Sequence, residues 1–231
     1  CSIAGTRLCW CRAAACCDLV LVGCDAACQR RRRRDGSSAW CCGGFRDLLA
    51  AVAARSAETR AALFERAQEF EGSPRERMGA VEAAAEVFFA LFPHHEQAER
   101  LVRAAHLSPG ISAERIATLE TSTQRCFGVA TRIATEAVAS GDLPLREGQS
   151  VEQLCVGLWN LYQGAFLMRD LEKFMSDPAV DDAIGTLQRN ARVFLDGFGW
   201  RPLSTEVDYT AARERTLTEL FAAEAQAAGL L

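Results

Sequence analysis

Ser150-Val151-Glu152-Gln153-Leu154-Cys155-Val156-Gly157-Leu158-Trp159-Asn160-Leu161-Tyr162-Gln163-Gly164-Ala165-Phe166-Leu167 is the stretch that decides the fold. Ser150, followed three residues on by Gln153, has the spacing of a capping box, in which each side chain satisfies a free amide at a helix start. Behind it Leu154, Cys155, Val156, Leu158, Trp159, Leu161, Tyr162, Phe166 and Leu167 put apolar groups nearly all round a helix running from Val151 to Leu171. A helix of that kind is expected to be buried on more than one side, so it needs other helices around it.

The flanking sequence supplies them. Phe45, Leu48, Leu49 and Val52 recur at three and four residues, and Leu63, Phe64, Ala67 and Phe70 continue the stripe on a long, Ala-rich helix with exposed Arg and Glu, closed by Gly72. Ser73-Pro74-Arg75-Glu76 then offers an N-cap, a proline in the first turn and a carboxylate at the positive end of the next helix. That helix carries Met78, Val81, Ala85, Phe88, Phe89 and Phe92 on one stripe until Pro93 stops it. A short helix from about Glu96 to Leu107 is broken by Ser108-Pro109-Gly110. Ser112 caps a longer one with Ile116, Leu119, Thr123, Cys126, Phe127, Ala130, Ile133 and Ala137 inward, ended by Ser140-Gly141-Asp142. Asp177-Pro178 opens another with Val180, Ile184, Leu187, Ala191, Phe194, Leu195 and Phe198 in register. After Gly199-Trp200-Arg201-Pro202, a single last helix is expected from about Tyr209 to Ala228. No alternating strand pattern of useful length follows residue 45, so the expected class is all-α.

Composition divides the chain in two. Hydrophobic residues are 49% and charged residues 24% of 231, enough apolar material for a proper core. No apolar run is long enough to span a bilayer; the longest candidate, Ala13 to Cys24, is interrupted by Asp18 and only faintly resembles a secretory signal. Residues 1–45 hold seven Arg against Asp18, Asp25 and Asp35, a balance of +4, which leaves −8 for the rest of a chain whose total is −4. Of the eleven Cys, only Cys126 and Cys155 lie beyond residue 42. The chain opens on Cys1 rather than Met, so its true beginning is expected to lie elsewhere.

Three local features give the helical part a resemblance. Gly44-Phe45-Arg46-Asp47-Leu48-Leu49-Ala50-Ala51-Val52 looks like an interdomain junction, Ala137-Val138-Ala139-Ser140-Gly141-Asp142-Leu143 like the end of a long central helix, and Leu158 to Leu167 like a buried penultimate helix with a Gly-Ala step. In this order and spacing, over roughly residues 44–200, they resemble the C-terminal domain of TetR-family transcriptional regulators. The resemblance implies an effector-binding and dimerisation domain over residues 45–205 and a C-terminal helical segment over 206–231. It also implies a cytoplasmic homodimer, a repressor of transcription, whose small-molecule effector controls its grip on operator DNA.

The front departs from that pattern. The family opens with a helix-turn-helix unit, whereas residues 1–44 show cysteine pairs, Arg30 to Arg34 in succession and Gly36-Ser37-Ser38, with no helical apolar stripe after Val22. The expectation here is a frame-shifted reading of a GC-rich gene. CGC-type Arg codons read one base later become Ala, and the codons from Asp35 to Cys42 then reach a Thr-Gly-Val-Ala-Pro-Gly-Ala type of string, close to a helix-turn-helix turn. Those spanning Cys24 to Ala27 reach an Ala-Thr-Pro type. Which residues would contact DNA is not legible, and the operator is expected as a partner only if an intact N-terminal unit exists.

Other chemistry is weighed against plainer readings. Cys24 and Cys28 with Cys41-Cys42 fall short of the paired spacing of a structural zinc site, and nothing marks a disulfide framework, so no metal and no cofactor are expected. The Arg run can neutralise phosphates, yet it reads better as a solvated tract. His94, His95 and His106 read as surface histidines. No nucleophile, base and acid fall into a usable order, so an enzyme is not expected.

Phe88, Phe89, Phe92, Phe127, Trp159, Tyr162 and Phe166 could surround an apolar or aromatic ligand, with Trp159, Tyr162 and Gln163 as polar handles and Arg125 or Gln124 adding one. Stripes at this spacing are usually ordinary core, and for most of these residues that reading is preferred; the resemblance favours a pocket at Trp159, Tyr162 and Phe166. It also implies a four-helix dimer seam on the helices 151–171 and 179–198, with Gly157, Gly164, Ala183 and Ala191 permitting close approach beside Leu187 and Phe194. The competing class is a free-standing helical dimer that binds a ligand or partner and has no DNA activity.

Overall fold

A computed structural model of the chain describes residues 45–105, 111–171, 174 and 182–231. The readings placed on residues 1–44, on His106, on the break at 108–110 and on the helix start at Asp177-Pro178 lie outside these residues. Among the described residues the chain is all-α, with eight helices and no strand. They are α1 (Phe45–Ala67), α2 (Pro74–Leu91), α3 (His95–Ala105), α4 (Ala113–Ser140), α5 (Val151–Leu171), α6 (Ala183–Gly197), α7 (Tyr209–Glu219) and α8 (Ala222–Ala227).

The starts and stops follow local chemistry. Ser73 and Glu76 form the capping box at α2, Ser73 Oγ accepting from the Glu76 amide at 3.3 Å while Glu76 accepts from the Ser73 amide at 2.9 Å. Ser150 and Gln153 repeat the device at α5, at 3.2 and 3.0 Å. Ser112 caps α4, and Gly141 ends it at φ 83°, a left-handed conformation that costs glycine little. Asp182 caps α6 through the Gly185 amide at 3.0 Å.

Two helix ends differ from expectation. α1 stops at Ala67 rather than at Gly72, because the chain turns and Phe70 folds back to be buried. The single terminal helix is two, broken at Leu220 and Phe221. There Arg66 of α1 donates to the Leu220 carbonyl, pairs with Glu224 and lies 4.7 Å from the centre of the Phe221 ring, which is fully buried.

α1 is the hub, packing on α4 most extensively and on α3 and α2 besides. Ala50, Ala53, Ala57 and Ala61 line its inner side at helical spacing, and none is more than 1% exposed. Short side chains there let neighbouring backbones come close. The main core joins α1, α2, α4, α5 and α6 and takes in Leu217, Phe221 and Ala225 of the last two helices. A smaller cluster near the start of α1 joins Ala50, Ala53 and Ala57 to Ala98, Val102 and Leu119.

Charged groups lie inside as well. Arg60 of α1 is fully buried and donates to Glu96 at 2.8 Å and to both carboxylate oxygens of Glu99 at 3.0 and 2.8 Å. Ser56 adds a bond to Glu99 at 2.7 Å, and Arg103 reaches it at 2.7 Å. Arg60 therefore faces two carboxylates across the α1–α3 contact, and Arg103 pairs with them along α3 itself. Burial, then the neighbouring Glu99, pushes the Glu96 carboxyl upward, against the pull of Arg60 and Arg103.

Breaking such a group by removing one partner leaves an uncompensated charge in the interior. Glu99→Ala is expected to destabilise the chain by about 3–5 kcal/mol. Replacing Arg60, Glu96 and Glu99 together by apolar residues of similar size should restore most of that loss, as measured by urea unfolding.

Candidate functional site

Between α1, α2, α4, α5 and α6 the packing leaves an apolar cavity of about 70 Å³ that opens to solvent. It exists where short side chains face one another: Ala85 of α2, Ala130 of α4 and Ala191 of α6 all line it. Phe64, Met78, Val81, Leu158 and Leu187 supply aliphatic and aromatic wall, and Phe127, Trp159 and Tyr162 a run of rings. Trp159 packs on Phe127 with centroids 4.9 Å apart and stacks on Tyr162 at 5.4 Å. Tyr162 is held from behind by Phe89 at 4.9 Å and Phe166 at 5.0 Å, and at its edge by Phe64 at 6.4 Å.

The polar groups at this wall are few. Burial pushes the thiols of Cys126 and Cys155 and the phenol of Tyr162 above their ordinary pKa values, so all three stay neutral. The Tyr162 hydroxyl is buried with no hydrogen-bond partner among the described residues. Glu82 is the carboxylate at the cavity. It also lines a polar cleft on its other side, with Arg75, Gln188, Arg192, Tyr209 and Arg213. Its neighbour Glu86 is held by Arg213 at 2.6 Å through both oxygens and by Gln188 at 2.9 Å. Arg75 is bound to Asp196 at 2.8 Å and to the Trp200 carbonyl at 2.6 Å. Burial pushes the Glu82 carboxyl up to about 7, against the pull of Arg75 and Arg192.

Of the residues the sequence proposed for a ligand, Phe127, Trp159 and Tyr162 meet at this cavity. Phe89 and Phe166 stand one layer back as supports. Phe88 is fully buried beneath Arg60, whose guanidinium lies 5.6 Å from its ring centre. Phe92 is stacked on His95 at 4.9 Å. Gln163 is partly buried, its amide nitrogen unpartnered among the described residues. Arg125 is placed elsewhere: it is exposed on α4 and forms a two-bond pair with Glu65 at 2.8 and 2.6 Å. Sequence reasoning missed Glu82, because a lone Glu among Ala and Val on α2 reads as part of a solvated face. It also missed Ala85 and Ala130, whose only signal was small size on an otherwise bulky stripe.

The residues proposed for a dimer seam are mostly used inside the protomer. A Cβ on Gly157 would come within 2.3 Å of the Phe194 ring, so the two mark a close crossing of α5 and α6. Leu187 and Ala191 line the cavity, and Ala183 is buried. Gly164 faces open space. Small residues were used first to join α5 to α6. The outer faces of the same helices carry Val156, Leu167, Met168 and Val193, all exposed, with Val193 at 72%.

Among the described residues no group of three or more His, Cys, Asp or Glu could hold a metal ion, and no helix is long and apolar enough to cross a membrane. No protein-family model, curated protein or solved structure matches the chain.

Glu82 sets a pH signature for the cavity. Its folded pKa of about 7 lies above the ordinary 4.5, so its contribution to stability is full below 4.5 and is lost as pH rises through 7. Glu82→Gln should flatten the melting temperature between pH 5 and 8 relative to wild type and raise it at pH 8, as read by thermal melts in matched buffers.

Proposed function

We propose that the helical body is the effector-sensing and dimerising part of a TetR-type, cytoplasmic transcriptional regulator, a repressor that works as a homodimer on operator DNA. The observation that carries this reading is the aromatic-walled cavity between α2, α4, α5 and α6. Binding sites for small molecules are concave, mostly apolar and set between elements, with a few fixed polar groups for orientation. Here Phe127, Trp159 and Tyr162 supply the rings, and Glu82 and the Tyr162 hydroxyl the polar groups.

The second support is the outer face of α5 and α6. Val156, Leu167 and Val193 are exposed there, and an isologous contact would cover them. The helices that wall the cavity would then also form the seam. A ligand that displaces α5 or α6 changes how two copies mate, and so the separation of two DNA-reading heads that must lie about one helical turn, roughly 34 Å, apart on the duplex. A body carrying −8 outside its first 45 residues gives DNA no grip of its own, so affinity in this reading belongs to an N-terminal unit.

In sedimentation the chain is expected to run as a dimer, and Leu167→Glu combined with Val193→Glu to run as a monomer. The neutral dye N-phenyl-1-naphthylamine should brighten on binding the wild type and not on binding Ala191→Phe, which fills the cavity. A gel shift of the full chain on the DNA upstream of its gene tests the remaining step. A retarded band that weakens with salt supports the regulator; a dye-binding dimer with no retardation at any salt supports a helical sensor without DNA activity.

A further inference from the structure

The hydroxyl of Tyr162 marks what an occupant of the cavity must carry. Tyr162 lines the cavity and is 8% exposed, and its hydroxyl is buried with no hydrogen-bond partner among the described residues. Its ring is held in place by Phe64, Phe89, Trp159 and Phe166, which pack around it. A buried hydroxyl without a partner costs folding free energy. Buried polar groups are nearly always satisfied, by protein, water or ligand.

The neighbouring groups decide which kind of partner is missing. Burial holds this hydroxyl in its neutral form, and of the charged groups around it Arg60 acts on it most strongly. A guanidinium draws the phenol oxygen toward itself and turns the O–H away, free to donate. The Nε of Arg60 is a second buried donor without a partner among the described residues. Cys126, also at the wall, offers only a sulfur, which is a weak acceptor. The wall around Tyr162 is therefore supplied with donors and short of an acceptor. An anion would not suit it, because Arg60 already faces Glu96 and Glu99 at 2.8 Å each. A further negative charge would enter an apolar space, near Glu82, with no cation of its own.

We propose that the cavity takes an uncharged ring compound bearing a carbonyl, whose oxygen accepts a hydrogen bond from the Tyr162 hydroxyl while its ring lies against Trp159 and Phe127. The inference rests on the reading of this cavity as a ligand site. It makes Tyr162 the residue that tells such a compound from a hydrocarbon of the same shape.

Acetophenone and α-methylstyrene have the same shape and differ only in C=O against C=CH2. By calorimetry on the full chain, Tyr162→Phe is expected to weaken acetophenone about five- to tenfold, the worth of one hydrogen bond in a dry site. It should leave α-methylstyrene within about twofold of the wild type, which also reports that the variant is folded. The ligand-free variant should melt no lower than the wild type, since the hydroxyl it loses had no partner. A fall of about 4 °C or more would reveal a partner inside the chain and overturn the proposal. Equal loss for the two compounds, loss for neither, or binding of α-methylstyrene alone overturns the proposal and leaves the cavity reading intact. Binding of neither compound at millimolar concentration overturns both. Should Tyr162→Phe fail to fold, infrared spectra of the wild type decide. The carbonyl stretch of bound acetophenone is expected below its position in hexane, and a hexane-like position overturns the proposal.

Discussion

Arg60 is the constraint around which the helices are arranged. A guanidinium with no access to water requires carboxylates at fixed positions, and α3 delivers two of them, one turn apart, at 2.8 Å each. The ion group fixes the register of α3 against α1. It also reaches toward the cavity, since the Arg60 guanidinium lies 5.5 Å from the centre of the Trp159 ring and 5.6 Å from that of Phe88. The ring at the cavity wall is therefore pinned from behind by a charge that cannot move without unfolding the α1–α3 contact. Buried ion groups are weak sources of stability and better sources of specificity, and here the specificity concerns where Trp159 stands.

From that anchor the cavity follows by subtraction. The large rings are committed to one another on the α2–α5 side, and the space opposite is walled by Ala85, Ala130 and Ala191. Interiors are packed to crystal-like density almost everywhere, so a void bounded by three alanines needs more than chance collapse to persist. Glu82 stands at its margin, beside a cleft in which Arg75 and Arg213 are engaged with other carboxylates.

The all-α class and most helix ends were legible because they depend on neighbours in sequence. Ser73 with Glu76, Ser112, Ser150 with Gln153 and Gly141 each act within one turn of themselves. The break at Leu220 and Phe221 was not legible, because the residue that contacts it, Arg66, is distant in sequence and brought near by folding. The site was partly legible for a similar reason. Aromatic identity at helical spacing located Phe127, Trp159 and Tyr162, yet it could not separate rings that face a void from rings that fill one, such as Phe88 and Phe89. Arg60, Glu96 and Glu99 were invisible as interior groups, since single charged residues on an Ala-rich helix ordinarily face water. The small residues of α5 and α6 were read as a seam between two chains, and within the chain Gly157 receives Phe194.

That last contact limits how the two helices can move. With the Phe194 ring seated in a notch only a hydrogen wide, α5 cannot creep along α6 by a fraction of a turn: the next side chains along the same face, Leu161 on one side and Leu154 on the other, offer no comparable gap. Displacement must lift the ring out entirely, because one helical repeat, about 5.4 Å, brings it against a leucine. The pair behaves as a detent with a single seat.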